Sequence, residues 1–297
     1  MERIQLTKDL SLSRIVQGFW RLHKWDMNTS ELVRFISACV DRGVTSLDTA
    51  EIYADAECEK QIGHALAADP SLRNNLQIVT KGGIYRAMVD GQPFGYYDTH
   101  YDRIMQSCEN SLQRLQCDYI DLYLIHREDP CIDHPETARA LKDLKQKGYI
   151  REAGVSNFDP FKFDALDHHM DGTLCTNQIE WNPTAYEPFQ NGMMDYLGKK
   201  GLHPMIWSPL AGGKLFTSDE PIHAKARKKI QEIALRHNAS LESIVYAWIM
   251  YHPTKPLPIS GSSKLERLDQ AIAALDIDLS QSEWFEIYAA SGQQQIR

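Results

Sequence analysis

Short runs rich in β-branched and apolar residues alternate along the chain with stretches whose apolar positions recur every three to four residues. The runs are RIVQGFW (14–20), VTSLD (44–48), LQIVTK (76–81) and YIDLYLIH (119–126) in the first half. REAGVSN (151–157), LCTNQIE (174–180), HPMIWSP (203–209) and PLPISG (256–261) follow. Their length and residue types predict strands. The stretches between them predict helices. SELVRFISACVDRG sets Leu32, Phe35, Ile36, Cys39 and Val40 on one face and ends at Gly43. RIMQSCENSLQRL does the same with Ile104, Cys108, Leu112 and Leu115, while PETARALKDLKQKG opens on a proline and stops at Gly148.

Strand followed by helix, repeated eight times, predicts an α/β fold: a (β/α)8 TIM barrel in a single domain over residues 1–297. The first dozen residues are expected to form an N-terminal hairpin closing the barrel floor. SEWFEIYAA, with Ser280 and Glu283 as a capping box, is expected to be an extra C-terminal helix. A doubly wound sheet is the alternative. It wants a glycine-rich turn after the first strand, where the chain has GFWRLHKW, and no G-x-G-x-x-G occurs.

Composition narrows the partners. The 32 Lys and Arg against 40 Asp and Glu leave a net charge of −8, which removes a whole-surface attraction for nucleic acid or anionic lipid. No apolar run approaches the ~20 residues of a membrane helix. The opening MERIQLTKDL has no apolar core, so no signal peptide is expected and the protein reads as cytoplasmic. Six scattered cysteines without a C-x-x-C pair predict reduced core thiols, with no disulfide framework and no metal.

In a barrel of this kind the chemistry sits where strands end. The strand ends carry Asp48 with Tyr53 five residues on, Lys81, His126, Ser156–Asn157, Gln178 and Trp207–Ser208. Any one alone is more often a cap or a structural hydrogen bond. Asp48, Tyr53, Lys81 and His126 together, on three consecutive strands, make a coherent set. A phenol titrating near ~10 is a reluctant acid. An adjacent ammonium favours its ionised form, a carboxylate keeps that ammonium charged and oriented, and a neutral imidazole can orient a carbonyl oxygen. Such a set suits general-acid protonation of a carbonyl oxygen as the carbon accepts hydride.

The segments GVTSLDTAEIYADAECEKQIG, IVTKGG, IDLYLIHRED and GVSNFDP resemble those of the aldo-keto reductase superfamily, in the bacterial branch near the potassium-channel β-subunits. The resemblance runs from about residue 15 to the C-terminal helix. It implies a (β/α)8 barrel using a nicotinamide cofactor, usually NADPH, without metal. The family's catalytic tetrad falls on Asp48, Tyr53, Lys81 and His126, with Tyr53 as proton donor. Ser156, Asn157 and Gln178 would hold the nicotinamide carboxamide.

Two segments speak for the cofactor beside the resemblance. IWSPLAGGKL offers Trp207 as a stacking face, and Ser208, Gly212 and Gly213 leave backbone amides free to meet a pyrophosphate; a buried tryptophan before a glycine turn is the bland alternative. Pro209, Leu210 and Lys214 of this loop are assigned to the cofactor with them. In SGSSKLERLDQ, Ser263 and Glu266 read as a capping box, yet Lys264 and Arg267 fall in the first turn, where the helix dipole disfavours cations. A phosphate there would resolve the conflict, and pairing of Lys264 with Glu266 is the alternative. The resemblance assigns this segment, with Ser262 and Gln270, to the adenosine 2′-phosphate, favouring NADPH over NADH. Gly261 stands where many reductases carry a phosphate-binding lysine, so Lys264 would have to substitute.

Trp20, Trp25, Tyr85, Arg127 and Trp181 are the candidates facing a small-molecule carbonyl substrate. GGIYRAMVDGQPFGYYDTH reads as a long flap-like loop. The short stretch after the last helix implies an open, promiscuous pocket. The leading expectation is reduction of aldehydes or ketones to alcohols, with no protein partner indicated. The alternatives are an NADPH-binding sensor or docking module with vestigial catalysis, and a barrel hydrolase built on Asp48, which would leave Lys81 and Tyr53 idle.

Overall fold

The computed structural model describes residues 1–292; the expectation drawn from SGQQQIR after the last helix falls mainly on residues 293–297, outside them. Among the described residues twelve strands form: β1 (Arg3–Thr7), β2 (Leu10–Ser13), β3 (Val16–Gly18), β4 (Ser46–Asp48), β5 (Gln77–Gly82), β6 (Ile84–Val89), β7 (Gln92–Tyr97), β8 (Ile120–Ile125), β9 (Ile150–Ser156), β10 (Asn177–Glu180), β11 (Met205–Trp207) and β12 (Leu257–Ser260). Eight of them, β3, β4, β5, β8, β9, β10, β11 and β12, close into a barrel in chain order, and each falls within or overlaps a run named above. The fold is the expected (β/α)8 barrel.

The chain groups into two compact units, the first spanning Met1–Gln178 and the second beginning at Ile179. In the first unit, β3, β4, β5, β8 and β9 pair in parallel in that order, and all six residues of β8 are buried. Burial on both faces is why Leu122–Ile125 of this strand are continuously apolar, while the buried Asp121 accepts from Arg73 at 2.8 Å. The helix Thr29–Asp41 opens on Asn28, which exchanges bonds with Glu31 in a capping box, and buries Leu32, Phe35, Ile36 and Cys39. The helix Tyr101–Leu115 buries Ser107 and Ser111 beside Ile104 and Cys108, and leaves Leu112 half-buried. A purely apolar reading of the face could not anticipate the two serines.

β1 and β2 form the expected hairpin. Arg3 donates to Thr45 Oγ1 at 2.7 Å and to Gln77 Oε1 at 2.8 Å, and Ser13 and Ser46 exchange hydrogen bonds. These bonds tie the hairpin to the N-terminal ends of β4 and β5, opposite the ends that carry the polar set.

The supposed flap is not a loop. β6 and β7 pair antiparallel from Ile84↔Tyr97 to Val89↔Gln92, around a turn at Asp90 and Gly91 with φ 50° and 75°. Met88, Val89, Phe94 and Tyr97 are exposed on it.

The second unit contains β11 paired with β12, the long helix Pro221–His237, and the expected C-terminal helix Gln281–Ala290 with its Ser280–Glu283 capping box. A second expected capping box is absent. The helix that follows β12 runs Leu265–Ala273 with Lys264 as N-cap and no side-chain cap, because Ser262 Oγ accepts the Lys264 N–H at 3.1 Å and starts the helix one residue later. Lys264 thus flanks the first turn rather than standing in it. All six cysteines are free; Cys131 is exposed, against the expectation of core thiols throughout. Among the described residues no helix is long and apolar enough to cross a membrane.

Candidate active site

Lys81 lies in β5 with no exposed surface. Its Nζ donates to Asp48 Oδ2 at 2.9 Å, to the Thr49 carbonyl at 2.8 Å and to the Tyr53 hydroxyl at 3.3 Å. An ammonium has three protons, so these three acceptors satisfy a buried cation in full. Burial would lower the Lys81 pKa, but Asp48 and Tyr53 outweigh it and leave it raised. Lys81 is held as a cation.

Asp48 ends β4, and the chain turns at once. Thr49 N–H donates to Val79 O, Glu51 N–H to Lys81 O and Tyr53 N–H to Ala50 O, which brings the phenol back over the lysine. Ala54, Asp55 and Ala56 then all take left-handed φ, at 50°, 52° and 70°. Non-glycine residues there cost ~1–2 kcal/mol each, so the tyrosine's turn carries strain. The expectation that Lys81 leaves the phenol a stronger acid is corrected in its net direction. Burial of the hydroxyl raises the Tyr53 pKa by more than Lys81 lowers it.

His126 follows β8 and is buried, its N–H donating to the Gly82 carbonyl at 2.9 Å. Its ring meets that of Tyr53 edge to face, with centroids 5.7 Å apart. Burial, then the positive charges of Lys81 and Arg127, hold its pKa well below the ordinary histidine value, so the ring is neutral. Its Nδ1 is buried without a hydrogen-bond partner among the described residues.

Three more predicted residues converge on this group. Gln178 Nε2 donates to Asp48 Oδ1 at 2.7 Å. Ser156 Oγ and the Asn157 N–H both donate to the Gln178 carbonyl at 2.9 Å, and Asn157 Nδ2 donates to Ser156 Oγ and to His126 O. Asn157 sits at φ 59°, a conformation asparagine tolerates.

The second unit holds its own predicted set. Trp207 is half-buried at the end of β11, and Ser208, at φ 50°, has its carbonyl held by Asn182 Nδ2 at 3.1 Å. Pro209 is buried, Leu210 half-buried, and Gly212 and Gly213 take positive φ just before the exposed Lys214. After β12, Ser262 and Ser263 are half-buried, Lys264 and Arg267 exposed, and Gln270 Oε1 is buried without a partner among the described residues.

The substrate candidates divide. Trp20 is 56% exposed, with Arg21 over its ring. Trp25 packs on Phe19 and Phe35. The Tyr85 hydroxyl donates to Arg103 O at 3.0 Å. Arg127 is half-buried, and its charge reaches both Tyr53 and His126. Trp181 is fully buried among Phe189, Trp248 and His252, which makes it core rather than lining.

Sequence reasoning missed two supports. The Thr49 carbonyl is a backbone group without a residue signal. Asn182 could have been noticed as the polar residue of EWNP just beyond β10.

A parallel barrel whose consecutive strand ends gather a carboxylate, a buried ammonium, a phenol and a neutral imidazole defines a class of oxidoreductase. The chain belongs to it: the model of the aldo/keto reductase family matches residues 14–291. It is similar to oxidoreductase YdhF of Escherichia coli K12, at 42% identity over 94% of this chain and 93% of that protein. A 6-dehydroglucose reductase of Agrobacterium fabrum is 38% identical over 97% of both chains. Among solved structures, an aldo/keto reductase from Klebsiella pneumoniae in complex with NADP and acetate superposes with a TM-score of 0.80 at 28% identity, covering 97% of this chain and 94% of the other.

Proposed function

We propose that this chain is an NADP(H)-dependent carbonyl reductase in which Tyr53 protonates the oxygen of an aldehyde or ketone, and which oxidises the alcohol in the reverse direction. The observation that carries the reading is the triple bond set of the Lys81 ammonium on Asp48, Thr49 and Tyr53. The bond to the phenol is the longest of the three. As Tyr53 releases its proton, the acceptor becomes a phenolate and the bond one between opposite charges, and bonds of this kind are shorter and stronger. The raised pKa keeps the acid loaded at neutral pH, and Lys81 lowers the cost of emptying it. Neutral His126 can orient the carbonyl oxygen without competing as an acid.

The residues present fit a nicotinamide cofactor, which when bound supplies the hydride. Ser156 and Gln178, buried, and Asn157, half-buried, offer hydroxyl and amide groups of the kind a carboxamide pairs with. Trp207 offers a ring face. Beyond their chain neighbours and any local helix backbone, nothing lies within 4 Å of where a Cβ would stand on Gly213 or Gly261, so the backbone there leaves room for close approach. Ser262, Ser263, Lys264 and Arg267 gather hydroxyls and cations at the positive end of the helix Leu265–Ala273, a place that suits a phosphate. The NADP in the Klebsiella pneumoniae relative supports the phosphorylated cofactor. The name of the Agrobacterium fabrum relative makes a sugar-derived carbonyl the first substrate to try.

The test pairs a titration with a panel. Tryptophan fluorescence should show NADPH binding at least about tenfold tighter than NADH, with Arg267→Ala erasing most of the difference. Equal weakening of both cofactors would remove the 2′-phosphate assignment. Failure of either cofactor to be oxidised by any aldehyde, ketone or sugar-derived carbonyl would remove the reductase reading.

A further inference from the structure

Gln178 touches the acid–base group directly. Its side chain is 2% exposed, and its Nε2 donates to Asp48 Oδ1 at 2.7 Å across 130 residues of chain. The other carboxylate oxygen takes Lys81 at 2.9 Å.

The arm carrying this amide is fixed. Gln178 pairs with Ser156 across β9 and β10, and its carbonyl accepts from both Ser156 Oγ and the Asn157 N–H. The carboxylate, by contrast, turns easily, because the terminal torsion of aspartate has a broad, shallow preference. Lys81 alone does not define that turn, since Asp48 Oδ1 also lies 2.9 Å from its Nζ. A second, rigid donor on Oδ1 does. We propose that Gln178 is a positioning residue of the acid–base group: its amide fixes the Asp48 carboxylate in the orientation that holds Lys81 against Tyr53. This rests on the reading given under Proposed function, and gives Gln178 a task beyond holding a carboxamide.

A double-mutant cycle isolates the coupling. The wild type, Gln178→Leu, Asp48→Asn and the double variant are assayed for kcat at saturating NADPH, and cofactor affinity is read separately by tryptophan quenching. Gln178→Leu should lower kcat about tenfold or more, the scale of losing a hydrogen bond to a charged group. In the Asp48→Asn background the same change should cost less than about threefold. Additive losses in kcat, or a loss confined to NADPH affinity, would overturn the proposal.

Gln178→Glu supplies an independent reading should the leucine variant not fold. Its carboxyl can donate to Asp48 only while protonated, so kcat at saturating NADPH should fall as pH rises, along a limb the wild type lacks. The wild-type pH profile in that variant would overturn the proposal. Tyr53→Phe, run alongside, separates the two claims. Full activity there sinks the acid assignment whatever Gln178 does, whereas an inactive Tyr53→Phe with an additive cycle sinks only the positioning role.

Discussion

Three oxygens surround the Lys81 ammonium, and each makes a separate demand on it. Asp48 keeps it charged, Thr49 fixes its direction, and Tyr53 receives what remains of its field. Lys81→Met should abolish carbonyl reduction and also destabilise the fold by ~3–5 kcal/mol, because Asp48 would be left buried without its cation. A denaturant titration checks the second effect. The pH behaviour follows from two directions of shift. Tyr53 is raised, so the reductive rate should hold through neutral pH and fall only above the ordinary phenol value near ~10. His126 is depressed, so the unfolded chain binds a proton that the folded one refuses. Its contribution to stability is present above ~6.5 and is lost as pH falls below that value. His126→Asn should flatten stability against pH over that window, measured by thermal melts. The four residues were legible because each closes a predicted strand or follows one within five positions. The net direction at Tyr53 was not, since it depends on how much of the chain covers the hydroxyl. Nor was the bond from Gln178 to Asp48, which no local pattern encodes.

Two turns and one helix contact show how elements serve the site. The helix Glu57–Ala68 packs so closely on Tyr101–Leu115 that a Cβ on Gly63 would stand 1.9 Å from the Arg114 carbonyl. Backbone cannot yield cheaply there. Gly63→Ala should cost more than ~2 kcal/mol in a denaturant titration. The left-handed turn after Tyr53 predicts the opposite sign for Ala54→Gly, a gain of ~1 kcal/mol from relieved strain, read as a higher midpoint. The barrel strands and the capped helices were legible in the spacing of apolar residues. The β6–β7 hairpin was not. Its exposed face and its glycines gave no alternation to read, although Asp90–Gly91 is a turn dipeptide that favours a hairpin. The helix after β12 begins a residue later than its sequence suggests, because Ser262 bonds locally to Lys264.

Eight repeats of one strand–helix pattern are a long signal, and at the scale of the molecule that length made the barrel legible where any single strand was ambiguous. The match over residues 14–291 agrees with it. The substrate is a different matter. Trp20, Tyr85 and Arg127 lie outside the barrel strands, and their companions there include Trp181, which turned inward. Loop side chains follow tertiary contacts that no period in the sequence records. A cofactor that binds the folded chain alone must stabilise it, by about 2.7 kcal/mol at a hundred times its dissociation constant. NADPH should therefore raise the melting temperature more than NADH at equal concentration, and Arg267→Ala should bring the two together.

The most direct measurement compares wild type with Tyr53→Phe for NADPH oxidation by an aldehyde at saturating cofactor. Loss of about two to four orders of magnitude in kcat, with the tryptophan quenching by NADPH unchanged, is the outcome expected of a phenol that delivers the proton. Equal turnover by the two proteins would contradict it.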